Sequence, residues 1–194
     1  MRSPKRGVAA FLLVLLAAAG PAAAGNANFT LGLRSLDEET WFPASDQQVI
    51  GATVDFEVSK WPVHLAAGLS VSRKEKDLSG FTLQANVTDA SFGVMKVWEE
   101  RSAASPYIGG GLAVVYAKQE FSRFDPLLGV ILTVDDSDTA ICAYAHGGFM
   151  ARLGDSFNLG ADVRMLFGAN IDLFDVGGEA NYFQAAVLAG WGWD

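Results

Sequence analysis

Two histidines, a single cysteine and scattered hydroxyls are the residues able to support nucleophilic or metal chemistry. Acyl or hydrolytic chemistry needs a nucleophile, a base beside it and a third group to orient the base. His64 has Ser59 and Ser70 as its nearest hydroxyls in sequence, at no familiar motif spacing, and His146 is followed by Gly147 and Gly148. Each histidine is therefore expected to be a hydrogen-bonded interior group. Cys142 has no partner for an intramolecular disulfide, and no Cys/His zinc spacing or nucleophile elbow occurs. Gly109-Gly110-Gly111 sits inside a strand-like run, which suits close packing and not a phosphate cradle. Acidic residues cluster at 37–39, at 120–138 and at 172–179, without the spacing of a calcium loop, and read as solvated. The expectation is a protein that is not an enzyme, with no catalytic residue, cofactor or metal ligand to assign.

The elements that carry these residues follow from composition and period. The chain has 194 residues, is 51% hydrophobic and carries a formal charge of −8. That apolar content excludes disorder, and the acidic balance disfavours nucleic acid as a partner. Residues 1–24 read as a secretory signal peptide: Arg2, Lys5 and Arg6, then apolar Val8–Ala19, then Ala22-Ala23-Ala24 before Gly25. Its removal takes the charge from −8 to −11 and leaves 25–194 as one domain. Beyond the signal, no apolar run of about 18 residues exists to make a spanning helix.

Apolar residues instead recur at every second position. Phe29, Leu31 and Leu33 share one face, with Thr30, Gly32 and Arg34 on the other. The same alternation returns near 50–58, 63–72, 83–98, 108–116, 141–152, 157–165 and 183–193. These predict eight strands of roughly 9–12 residues, the length of a tilted bilayer-crossing strand. In the fourth, Leu83, Ala85 and Val87 share a face. The register is expected to shift near Asp89, through a bulge, before Phe92, Val94 and Trp98 align.

Eight such strands suit either a soluble barrel with the apolar face inward or a transmembrane barrel with it outward. Three features favour the second. The other face is rich in Gly, Ala and hydroxyls and carries Arg34, Asp55, Glu57, Asp162 and Arg164, which suits a narrow lumen filled by side chains. Long connections (37–48, 73–82, 117–139, 167–181) alternate with short ones (59–62, 99–106, 153–156). Trp61, Trp98, Trp191 and Trp193 fall at one rim, the periplasmic one, as an aromatic girdle, with Tyr116, Phe167, Tyr182 and Phe183 marking the other.

The stretch Pro106-Tyr107-Ile108-Gly109-Gly110-Gly111-Leu112-Ala113 resembles the fifth strand of small outer-membrane β-barrels of the OmpA/OmpX type. Ala145-His146-Gly147-Gly148 and Leu153 through Ala161 resemble their sixth strand, tight turn and seventh strand, and Tyr182 to Trp193 resembles their closing strand. The resemblance spans most of 26–194. It implies an all-β, eight-stranded antiparallel up-and-down barrel in the outer membrane of a Gram-negative bacterium. It also implies delivery by the barrel-assembly machinery, which in this family reads a terminal aromatic; here Asp194 follows Trp193. Lipid-modifying barrels of this shape carry a His-x-Ser element, and His146 has Gly148 at that position.

Within such a barrel, Arg34 and Arg164 are expected to pair among Asp55, Glu57 and Asp162, which offsets the cost of burying charge and leaves no wide pore. The expected partners are outer-membrane lipid and lipopolysaccharide, the latter through Arg73, Lys74 and Lys76, with the barrel a monomer. The role that follows is structural or surface-interacting, through the loops at 37–48 and 117–139. The third connection holds Phe121, Phe124 and the run Val130-Ile131-Leu132, and is expected to extend strands 5 and 6 above the membrane. The alternatives are an OmpW-like conduit for small or hydrophobic solutes, which calls for a lumen free of charge pairs, and a disfavoured lipid-modifying enzyme.

Overall fold

The computed structural model describes residues 24–58, 60–98, 104–127, 129–154 and 156–193. All of the expected signal peptide except Ala24 lies outside the described residues, as does Asp194. The chain runs β1 (Gly25–Leu36), α1 (Glu38–Trp41), β2 (Asp46–Glu57), β3 (His64–Leu78), β4 (Phe81–Val97), β5 (Ser105–Asp125), β6 (Val130–Leu153), β7 (Phe157–Phe167), β8 (Asn170–Leu173), β9 (Val176–Glu179) and β10 (Tyr182–Trp193). β1 to β7 and β10 close into an eight-stranded barrel in which every neighbouring pair is antiparallel, while β8 and β9 form a separate hairpin.

Alternation decides the two surfaces. Phe29, Leu31, Leu33, Leu112, Ile141 and Val187 point out of the barrel and are exposed, whereas the residues between them are buried or half-buried in the lumen. An exterior of this kind is stable against hydrocarbon and costly in water. Closure removes every free edge around the band, so backbone polar groups there are satisfied within the sheet.

The expected bulge in the fourth strand is absent. Pairing of β4 with β3 and with β5 runs in one unbroken register from Thr82 to Met95, and Leu83, Ala85, Val87, Asp89, Ser91, Met95 and Val97 are all buried inward. The apolar upper half of β4 faces the lumen because the half of the lumen opposite the chain termini is itself apolar. There Leu83, Val87, Val115, Cys142 and Leu166 pack with Trp41 of α1 and with Ile171 and Leu173 of β8.

The strands also exceed the expected lengths. β5 has 21 residues and β6 has 24, so most of 117–139 is a continuous hairpin standing above the barrel. Residues 73–78 likewise extend β3, and only Ser79 and Gly80 separate it from β4, with Gly80 at φ +99°. The fourth connection is folded inward as β8–β9. Its turn residues Phe174 and Asp175 have φ of 55° and 60°, the pattern of a type I′ turn. That conformation is unfavourable for phenylalanine. It is held because the Phe174 ring packs edge-on to Phe121 at 5.4 Å and the Phe174 N–H donates to the Asp136 carboxylate at 2.6 Å.

Candidate functional site

The lumen is layered. At its centre Arg34 and Asp89 form a wholly buried ion pair, Nη2 to Oδ2 at 2.7 Å. Ser70 donates to the same Asp89 oxygen, and Arg34 also donates to Ser70, Ser72 and the Gln184 carbonyl oxygen. Arg164 approaches the second Asp89 oxygen at 3.5 Å. Each guanidinium lies over an aromatic ring: Arg34 over Tyr182 at 3.9 Å, Arg164 over Tyr144 at 4.3 Å. Such stacking suits a planar, weakly hydrated cation in a tight space.

This differs from the expected pairing. Arg34, Asp55, Asp162 and Arg164 are buried and Glu57 is exposed, and the arginines share Asp89 and not Asp55, Glu57 or Asp162. Asp55 instead accepts from Asn26 and lies 2.9 Å from His64 Nδ1. Asp162 accepts from the Tyr107 hydroxyl at 2.8 Å and lies 3.0 Å from His146 Nδ1. Glu57 lies lower, with Arg152 and Asn158, in the vestibule of about 200 Å³ at the end that holds both the β1 start and the β10 end. Between the dyads and the arginine layer is a cavity of about 50 Å³, room for a few waters and nothing larger.

The glycine runs around 109 and 148 make room for this arrangement. A Cβ at Gly109 would stand 2.4 Å from His146 Nε2, and one at Gly148 would stand 2.7 Å from the Tyr107 hydroxyl. With the glycine backbone against Nε2 and glycine at 148, the His146–Asp162 pair has no sequence-adjacent nucleophile. Among the described residues no cluster of three or more His, Cys, Asp or Glu could hold a metal ion.

Above the arginine layer the lumen is capped. Trp41 is fully buried, and its indole N–H donates to the Glu179 carbonyl at 2.8 Å. The four-residue α1 is started by Asp37, whose carboxylate accepts from the Thr40 N–H at 3.1 Å. Tyr182, expected at the upper rim, is buried in the lumen because it lies on the inward face of β10. Tyr116, Phe167 and Phe183 do point outward there, and Trp61, Trp98, Trp191 and Trp193 are exposed at the opposite end.

Exposed apolar residues gather on the outer part of the β5–β6 hairpin. Phe124, Leu127, Ile131 and Val134 are each at least 60% exposed. A polar belt separates the tip from the band. In it Lys118 pairs with Asp135 at 3.0 Å and Glu120 at 3.3 Å, and Ser122 meets Thr133 across the strands. The Asp135 carboxylate holds the Lys118 ammonium above its ordinary pKa. On the inner side of the hairpin, Phe81, Phe121, Leu132 and Val134 line a groove of about 370 Å³.

Searches of the solved structures find the same architecture. A major outer membrane protein from Thermus thermophilus is 10% identical, with 89% of this chain and 100% of that one covered at a TM-score of 0.63. Ail, the attachment invasion locus protein of Yersinia pestis, is 12% identical, with 88% and 99% covered at 0.59. A second structure of Ail, bound to the heparin analogue sucrose octasulfate, is 10% identical, with 88% and 99% covered at 0.57. The fold is that of a small outer-membrane β-barrel. No protein-family description and no curated protein matches the sequence. In this barrel the lumen is closed by the Arg34–Asp89 layer and the Trp41 cap.

Proposed function

We propose that residues 25–194, freed of the signal peptide, form a monomeric outer-membrane barrel that acts at the cell surface through its β5–β6 hairpin. The observation that carries this is the exposed apolar tip, Phe124, Leu127, Ile131 and Val134, held beyond the bilayer by a belt of charge. Monomeric surfaces rarely retain such a patch without a binding role. The lumen does not suit a conduit: two arginines, an aspartate and an apolar plug lie across it. Lipid chemistry is not favoured either, since His146 is turned to Asp162 and glycine stands at 148, where lipid-modifying barrels carry a serine.

Ail has been seen with a polyanion, the heparin analogue sucrose octasulfate. A polyanion would meet repulsion here. The hairpin and the β8–β9 connection carry Glu120, Asp125, Asp135, Asp136, Asp138, Asp172, Asp175 and Glu179 against Lys118 and Arg123. Basic or neutral partners fit this surface. Arg73, Lys74 and Lys76 on the β3 extension are the cations placed to meet lipopolysaccharide phosphates.

The test is a shortened hairpin in which Glu120 and Asp135, already paired across the strands, are joined by a two-residue turn. Heat-modifiable gel migration of the outer-membrane fraction checks that the barrel is retained. Cells carrying the shortened form should attach less well to a surface coated with a basic protein than cells carrying the intact form. Equal attachment would refute the surface role of the hairpin.

A further inference from the structure

Resting on that reading of the hairpin, we infer that the upper edge of β6, Val130–Asp135, takes an extended segment of another protein as an added strand, one with apolar or β-branched residues and flanking cations.

The phase of the backbone hydrogen bonds establishes the edge. The Trp98 N–H donates to the Pro106 carbonyl, which directs even-numbered residues of β5 toward β4 and odd-numbered ones toward β6. Antiparallel pairing then directs even-numbered residues of β6 back to β5. The odd-numbered ones, Ile131, Thr133, Asp135, Ser137 and Thr139, direct N–H and C=O to the opposite side. β7 covers that side only from Ala143 downward.

Side chains close the lower part of this edge. The Ser137 N–H donates to Asp136 and the Thr139 N–H to Asp138, at 2.8 and 2.7 Å. The second oxygens of the same carboxylates accept from Phe174 N–H and Asp172 N–H of the β8–β9 hairpin. Two aspartates thus stand in for the missing strand. Above them no described strand or side chain takes the place of one beside Ile131, Thr133 and Asp135, and the run Val-Ile-Leu-Thr-Val has high strand propensity and no charge. An uncovered edge of this composition templates strand addition.

Geometry chooses the occupant. Two identical edges join one sheet only antiparallel, about a two-fold axis perpendicular to the sheet. Two copies in one membrane stand upright, related about the membrane normal, so a second copy from the same membrane cannot pair here. The occupant is a foreign segment. The surplus of carboxylates on the hairpin and on β8–β9 selects one that carries lysine or arginine beside its apolar residues.

The probe is a short fluorescent peptide alternating valine and threonine, with lysine at each end, titrated against the full mature barrel in lipid nanodiscs. Saturable binding that weakens with added salt is expected. Thr133→Pro should weaken it about tenfold or more, because it removes an edge donor. The barrel should still fold, since proline is tolerated where the N–H faces away from the sheet. A peptide N-methylated at alternate residues should bind no better to the intact protein than the unmodified peptide binds to Thr133→Pro. No saturable binding, or binding indifferent to Thr133→Pro and to N-methylation, would overturn the edge. Sedimentation showing that the protein alone dimerises through Thr133 would overturn the foreign occupant. If the shortened hairpin abolishes attachment while Thr133→Pro leaves it intact, the surface role stands and the added strand falls.

Discussion

Arg34 and Asp89 meet across the barrel at 2.7 Å, on strands β1 and β4 that are not neighbours, with both side chains wholly buried. The contact crosses the lumen and so reports closure of the ring. Asp89→Asn should leave two arginines without their shared counter-charge and cost about 3–5 kcal/mol. Urea unfolding of the lipid-embedded barrel measures this. The double variant Arg34→Met with Asp89→Leu should recover part of the loss, because no buried charge from that pair is then left unpaired. A single variant as stable as the parent would show that Asp89 is not the structural centre of the lumen.

Trp41 fills the half of the lumen opposite the chain termini from a helix of only four residues. Trp41→Ala should cost about 3–5 kcal/mol where its contacts are counted. The loss should fall on the cap and spare the wall, because α1 and the β8–β9 hairpin are held to one another by a few hydrogen bonds. Among them are the indole N–H to the Glu179 carbonyl and the Glu179 N–H to the Thr40 hydroxyl. Faster protease cleavage within 37–45 and 168–181, with unchanged heat modifiability, is the expected pattern. Planar bilayers should show no large, stable conductance for the parent protein, since the arginine layer remains below the cap.

Asp136 and Asp138 fasten the β8–β9 hairpin to β6. The Asp172 N–H, and then the Thr139 N–H, hold the Asp138 carboxyl below its ordinary pKa of 3.8. A group whose folded pKa is depressed stabilises the folded state above its unfolded pKa and loses that contribution as the pH falls through the folded value. Amide exchange at Asp172 and Thr139 should therefore be slow at neutral pH and, after correction for intrinsic rates, accelerate below about pH 4. Asp138→Asn should show the faster exchange already at neutral pH. Protection that does not change across this range would argue against the carboxylate as a fastener.

Cys142 lies on the inward face of β6, buried, with its thiol 3.4 Å from the Ala113 carbonyl. A maleimide should fail to label it in the folded barrel and label it fully after boiling in detergent. Labelling of the folded protein would place it on the other face, and with it every even-numbered residue of β6 from 140 to 152.

Much of this was legible from residue order. A period of two separates each strand into two faces whatever the surroundings, so eight wall strands and the outward Phe29-x-Leu31-x-Leu33 pattern followed directly. Arg34, Asp55, Asp162 and Arg164, on the face that alternation sets opposite the apolar one, are buried in the closed ring, while Glu57 is exposed at its end. Alternation does not say which face is inside, and here it misled at β4. Leu83, Ala85 and Val87 looked like lipid-facing residues and demanded a bulge, whereas they line an apolar upper lumen. Only the packed structure showed that lumen, because Trp41, Ile171 and Leu173 reach it from connections that have no strand period. Partners across the barrel were hidden for a related reason. Ring closure and the stagger of tilted strands decide that Arg34 faces Asp89, while Asp55 and Asp162 face histidines. Sequence order determined the wall and its two faces; the closed ring alone determined which charges meet inside it and which stretch of edge it leaves open above.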